Sequence, residues 1–203
     1  SLSLIIPLLA LIVNYSKTVA TKENKEPVFS ILISFAFVVF GLTNVLQIIS
    51  SISNVTPIVS LSNFEYSVRY GYMYSLILIL IPFVYHLVPK IYGREFIYGR
   101  LETFNAYLLG TSVVATLSLN TLIGINSGFS WNAGANAGNP TIYGEGFLIT
   151  WSLISTPYTL ILFLSLLFLL STFMFTLSTL KAIIGGSVTE SETVSEISGD
   201  NDE

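Results

Sequence analysis

Hydrophobic residues fall along this chain in long runs rather than in the alternating or three-to-four spacing of a water-facing fold. Five runs stand out, divided by short polar stretches. The first, Leu2–Val13, is interrupted by Pro7 and predicts a helix over about 2–15. A bilayer crossing needs about 20 apolar residues. No basic region precedes the run and no small-x-small cleavage pattern comes after it, which argues against a signal peptide. We therefore read it as the remnant of a spanning helix, and the chain as part of something longer. The second run, 27–53, opens on Pro27, whose missing N–H costs nothing in a first helical turn. The third, 68–92, has tyrosines at its start and His86, Pro89 and Lys90 at its end, with Arg94 just beyond. The fourth covers 101–126.

A Gly/Asn-rich stretch at 127–145, with Trp131 and Tyr143, reads as a loop. The fifth run, 146–184, would measure about 58 Å as one straight helix, roughly twice a bilayer core. Pro157 is expected to break it, leaving 146–155 as an interfacial helix and Tyr158–Ile184 as the crossing. The stretch 185–203 is rich in Ser, Thr and Glu, lacks an apolar face, and predicts a disordered acidic tail. The expectation is an all-α integral membrane protein: residues 1–184 as a bundle of about five transmembrane helices, then the tail.

Composition sharpens this picture. The chain is 52% hydrophobic and 10% charged, against about 25% charged residues in a soluble domain, so its solvent must be lipid. The net charge of −4 is an uneven average. Glu190, Glu192, Glu196, Asp200, Asp202 and Glu203 crowd into the tail, and the remainder is slightly basic, which gives no reason to expect nucleic acid. With no cysteine there is no disulfide, iron–sulfur cluster or thiolate metal site. One histidine, His86, does not build a zinc or copper centre by itself. The basic residues set the orientation. With the first segment starting outside, Lys17, Lys22, Lys25, Lys90, Arg94, Arg100 and Lys181 lie inside and only Arg69 outside. The tail is then cytoplasmic.

Few residues offer chemistry. Arg69 is a functional candidate because it is a charge at a membrane segment. Glu65 lies one turn earlier on the same face, so a local ion pair is the preferred reading. Tyr66, Tyr70 and Tyr74 recur every fourth residue, as an interfacial aromatic belt would, or as the lining of a quinone pocket. Asn44 and Gln47 on the second segment, and Asn105, Ser112, Thr116 and Asn120 on the fourth, need partners at membrane depth. Bonds between helices are preferred over a polar pocket. Asn54-Val-Thr56 is a glycosylation sequon in an expected outside loop. No phosphate loop, nucleophile–base pair or carboxylate pair falls within the segments.

The stretch YGYMYSLILILIPFVYHLVPKIYGREFIYGRL resembles the C-terminal half of the catalytic subunit (subunit I) of heme–copper oxidases, in the branch of C-type cytochrome oxidases and nitric oxide reductases. Tyr85, Leu87, Val88, Pro89, Lys90, Gly93 and Arg94 carry the family's helix-end pattern. SISNVTPIVSLSNFEYS is similar to a loop of that family, with Phe64 and Glu65 where the family has Asp-Trp. The Pro157–Tyr158 pair in a long last helix is similar too. The resemblance reaches Lys181 and corresponds to the last five family helices, so it implies a cytochrome oxidase subunit I-like fold.

It also implies two heme-ligand positions at the start of the third segment, and these hold Ser67 and Arg69, neither a usual heme ligand. The copper-binding histidines of the family lie in helices absent from this sequence. The resemblance therefore implies a degenerate, heme-free structural or accessory subunit of a respiratory electron-transport complex. On this expectation it has no cofactor of its own, and its partners are the lipid bilayer and other membrane subunits of that complex. Arg69, Tyr70, Asn44, Gln47 and Asn120 are its candidate functional residues. The alternatives are a terminal oxidase or nitric oxide reductase fragment whose hemes take ligands elsewhere, and a small membrane transporter.

Overall fold

The structure is a computed structural model that describes residues 27–60, 62–92, 100–136 and 140–185, with positions 10, 13, 14 and 17; of 88–90, 131–136, 140–156 and 185 it describes the backbone alone. From residue 27 onward the described residues form, in chain order, helices α1 (Pro27–Ser50), α2 (Thr56–Val59), α3 (Asn63–Ile91), α4 (Arg100–Asn136) and α5 (Pro140–Gly185). Among the described residues there is no strand. Among the described residues, four stretches are long and apolar enough to cross a membrane: Pro27–Ser50, Asn63–Leu87, Arg100–Ser130 and Pro157–Ile184. The expected segment at 2–15 lies almost wholly outside the described residues; Ala10, Val13, Asn14 and Lys17 are helical. The expected tail, 185–203, lies outside them from 186 onward.

Three expectations need correction. α3 starts at Asn63 rather than 68. Its first turn is organised by Phe64, which is only 1% exposed and acts as an apolar plug. The Gly/Asn-rich stretch after 126 continues α4 to Asn136 instead of looping. Gly128 within it, and Gly124 just before it, lie against a neighbouring segment, and such close packing overrides glycine's weak helix propensity. Pro157 does not interrupt α5, which runs through it from Pro140 to Gly185. α3 likewise continues through a buried Pro82. A proline in a membrane helix removes one donor, and neighbouring groups can re-satisfy the freed carbonyl without ending the helix.

α4 is the centre of the bundle. Half of its spanning window is buried, against 39% for α1, 28% for α3 and 11% for α5. α1 and α3 pack on each other and on α4, while α5 rests chiefly on α4 and lightly on α3. Two apolar clusters fill the interior. One joins Val28, Leu32, Ala36 and Val39 of α1 to Leu78 and Tyr85 of α3, Ala106, Leu109 and Val113 of α4, and Phe175 of α5. The other, at the opposite end, joins Leu46, Val59, Phe64, Val68 and Leu117.

Glycine sets the helix spacing. A Cβ on Gly124 would run into the backbone nitrogen and Cα of Phe64, and one on Gly128 into the carbonyl oxygen of Ile58. Gly71 faces the Thr43 side chain and Gly110 the Phe35 ring in the same way. Gly124 and Gly128 form a G-x-x-x-G pair, the spacing that lets helix backbones approach closely in lipid. Gly41 meets nothing within 4 Å.

These contacts predict the signs of three substitutions. Gly124→Ala should destabilise the bundle by about 1–3 kcal/mol, because backbone atoms do not move aside as a flexible side chain would. Gly71→Ala should destabilise too, since the Thr43 side chain that it meets is branched at Cβ, fully buried and bonded to the Val39 carbonyl. Gly41→Ala should be neutral or slightly stabilising, because alanine is the better helix former. Reversible unfolding of the detergent-purified chain, followed by circular dichroism, checks all three.

Candidate functional site

Among the described residues, polar side chains gather at two places, besides those that link one helix to another. The first is a layer between the two apolar clusters. Thr43, Asn44, Ser75, Ser112 and Thr116 are buried there. Most of its donors turn back onto their own helix: Thr43 Oγ1 donates to the Val39 carbonyl at 2.7 Å, Ser75 Oγ to Tyr72 at 2.8 Å and Ser112 Oγ to Leu109 at 2.8 Å. Asn120, one turn beyond Thr116, donates to the Thr116 carbonyl at 3.0 Å. A buried donor needs an acceptor, and helical carbonyls take these bonds.

A smaller set ties helices together. Asn105 Nδ2 on α4 donates to the Ser171 carbonyl on α5 at 3.0 Å. Ser171 Oγ, fully buried, lies 2.7 Å from Asn105 Oδ1 and 3.1 Å from the Asn105 carbonyl. This two-way clamp is the interhelical role expected of Asn105. Tyr72 on α3 donates to Asn44 Oδ1 on α1 at 3.3 Å, while Asn44 Nδ2 donates to the Phe40 carbonyl at 2.8 Å. Asn63 on α3 bonds Tyr158 on α5.

The second place is a cleft of about 480 Å³ at the end of the bundle where α1 finishes and α3 begins. α2 forms one wall. Thr56 positions it: its hydroxyl donates to the Ser50 and Ile52 carbonyls, at 2.8 and 2.9 Å, and closes the turn between α1 and α2. Val59, Phe64 and Val68 give the cleft apolar surface, and Gln47, Glu65, Arg69 and Tyr72 give it polar groups. Arg69 Nη2 lies 3.1 Å from Glu65 Oε1, the one-turn ion pair the sequence predicts. The two side chains are 75% and 47% exposed, so the pair adds little to stability.

Of the residues singled out in the sequence, Gln47 and Arg69 share this cleft. Asn44 joins it only through Tyr72. Tyr70 stands outside, half-exposed, stacked on Tyr66 at 3.9 Å between ring centroids, as a belt tyrosine would. Tyr74 turns the other way, edge-on to Phe168 of α5 at 5.8 Å. Asn120 stays on α4, away from the cleft. His86 sits at the opposite end of α3, its ring 6.1 Å from that of Phe29. Ser67 is 2% exposed and donates to the Asn63 carbonyl at 3.1 Å, with the Leu117 carbonyl of α4 at 3.4 Å. Ser67 and Arg69 thus point to different surroundings, one to the α3–α4 seam and the other to the cleft. Sequence reasoning missed the α2 wall. Its signal was Thr56-Pro57, a proline at the start of a helix.

Among the described residues no group of three or more His, Cys, Asp or Glu side chains is arranged to hold a metal ion. Comparisons with protein-family models, with curated proteins and with solved structures return no match.

The clamp makes a direct prediction. Asn105→Ala and Ser171→Ala should each lower stability. A double-mutant cycle between them should return a coupling of about 0.6–1.7 kcal/mol, the range for hydrogen bonds between membrane helices. The same cycle between Thr43 and Ser171, which share no partner, should return a value near zero.

Proposed function

We propose that this chain is a heme-free helical subunit of a respiratory electron-transport complex in a cell membrane, with an oxidase subunit I-like arrangement and a structural or accessory role. The observation that supports this reading is the use made of Ser67 and Arg69. Ser67 is taken up in the packing of α3 against α4, and Arg69 is ion-paired with Glu65. An arginine stays protonated and has no lone pair for iron, and a buried serine hydroxyl donating to a carbonyl is no better a ligand. His86 lies 17 residues beyond Arg69, about 25 Å along the helix axis, and does not replace them. The basic residues favour the orientation in which Arg69 faces outward and the C-terminal tail is cytoplasmic.

A reduced-minus-oxidised absorbance spectrum of the chain purified with its native partners tests the heme-free role. The expected result is no heme signal that depends on this chain. A stoichiometric signal lost on Tyr70→Phe or His86→Ala would overturn the proposal in favour of an oxidase or nitric oxide reductase fragment. Migration apart from every respiratory subunit on a native gel would favour the transporter instead. The topology has its own check: protease added to sealed right-side-out cells should leave Glu190–Glu203 intact.

A further inference from the structure

The cleft between α1, α2 and α3 combines a pair of opposite charges at its rim with an apolar interior. Arg69 lies six residues after the start of α3, about 9 Å along the axis, the depth at which long basic side chains reach lipid headgroups. It is also the one basic residue between Lys25 and Lys90, and none occurs between Arg100 and Lys181. The whole end of the bundle that carries the cleft therefore offers a single cation within the spanning sequence. That cation is bound through one nitrogen, Nη2, to one carboxylate oxygen. A guanidinium has five N–H donors, so most of its capacity is left over. Exchanging so exposed a pair for other partners costs little.

Below the charges, Val59, Phe64 and Val68 line the space, and Tyr72 is held at its edge by the bond to Asn44. A charged rim over an apolar interior suits an amphiphile. The carboxylate one turn from the guanidinium decides which kind. An anionic head without a cation would meet Glu65 with repulsion. A head carrying both charges close together satisfies both residues.

We propose that this cleft binds one phospholipid with a zwitterionic aminoethyl-phosphate head. The phosphate takes the free donors of Arg69 in charge-assisted hydrogen bonds, and the ammonium donates to Glu65. Val59, Phe64 and Val68 form the floor on which the glycerol end of the lipid rests, and its acyl chains leave through the mouth. Such a lipid differs from phosphatidylcholine, whose trimethylated nitrogen has no N–H to give, and from phosphatidylglycerol, which has no cation.

Native mass spectrometry of the full chain, released from detergent with each of the three lipids bearing identical acyl chains, tests the assignment. The expected result is one retained phosphatidylethanolamine per chain, preferred about tenfold over the other two, as a pair of charge-assisted bonds implies. Glu65→Gln should move the preference to phosphatidylglycerol. Arg69→Gln should abolish retention of all three. Both positions are exposed, so both variants should fold. Soluble phosphoethanolamine and inorganic phosphate at millimolar concentration should fail to displace the lipid, since neither fills the apolar part. Equal retention of the three lipids, an unchanged ranking in Glu65→Gln, or displacement by either soluble compound would overturn the proposal.

Discussion

The distance at which other segments can approach α4 governs this bundle. Backbones cannot come close in lipid through apolar attraction alone, because lipid tails are as apolar as leucine. They come close where a side chain is missing. Gly124 and Gly128 let the backbone around Phe64 and Ile58 lie directly on α4, and Gly110 accepts the ring of Phe35. Gly71 does the same for α1 at Thr43. Once the backbones are that near, dispersion contacts accumulate, and Ser67 reaches both its own helix and the Leu117 carbonyl.

This close approach also explains why the polar layer is chemically quiet. A hydroxyl in a tight seam has room to bond back to its own helix and little room to admit water. Thr43, Ser75 and Ser112 each do so. The cleft is the contrasting case. There α2 lines one side, and the side chains of Gln47, Glu65 and Arg69 border open space. A second hollow, of about 400 Å³, lies at the other end of α1, between residues 27–35 and Thr103 and Tyr107 of α4.

Much of this was legible in the sequence. The apolar runs located α1, the body of α3, the body of α4 and the final crossing, because a spanning helix must be apolar over about 20 residues. The Glu65–Arg69 pair is a consequence of spacing on a helix, and the role of Asn105 of the lack of any lipid partner for an amide. The rest depended on tertiary context. Phe64 reads as one more aromatic near a loop until Gly124 is known to lie against it. Gly124, Gly128 and their asparagine neighbours carry the composition of a loop, and only the segment they pack on shows why they are helical. Pro157 reads as a breaker by local rules, which assume that water or a turn comes next. The cleft was least legible of all, because its walls come from three separate elements.

The Asn105–Ser171 clamp has a mechanical consequence. α5 buries little of its spanning surface, and most of its apolar side chains, such as Leu162, Phe163, Leu166 and Leu169, face outward. Apolar packing of that kind resists separation but barely distinguishes one vertical position from another. The clamp does distinguish them: a slip of one turn, about 5.4 Å, would strand an amide and a hydroxyl in hydrocarbon. The Tyr74–Phe168 and Tyr85–Phe175 ring contacts, on either side of Ser171 along α5, oppose rotation as well. α5 is therefore held like a keyed shaft, fixed in height and in turn by a few contacts on an otherwise smooth face.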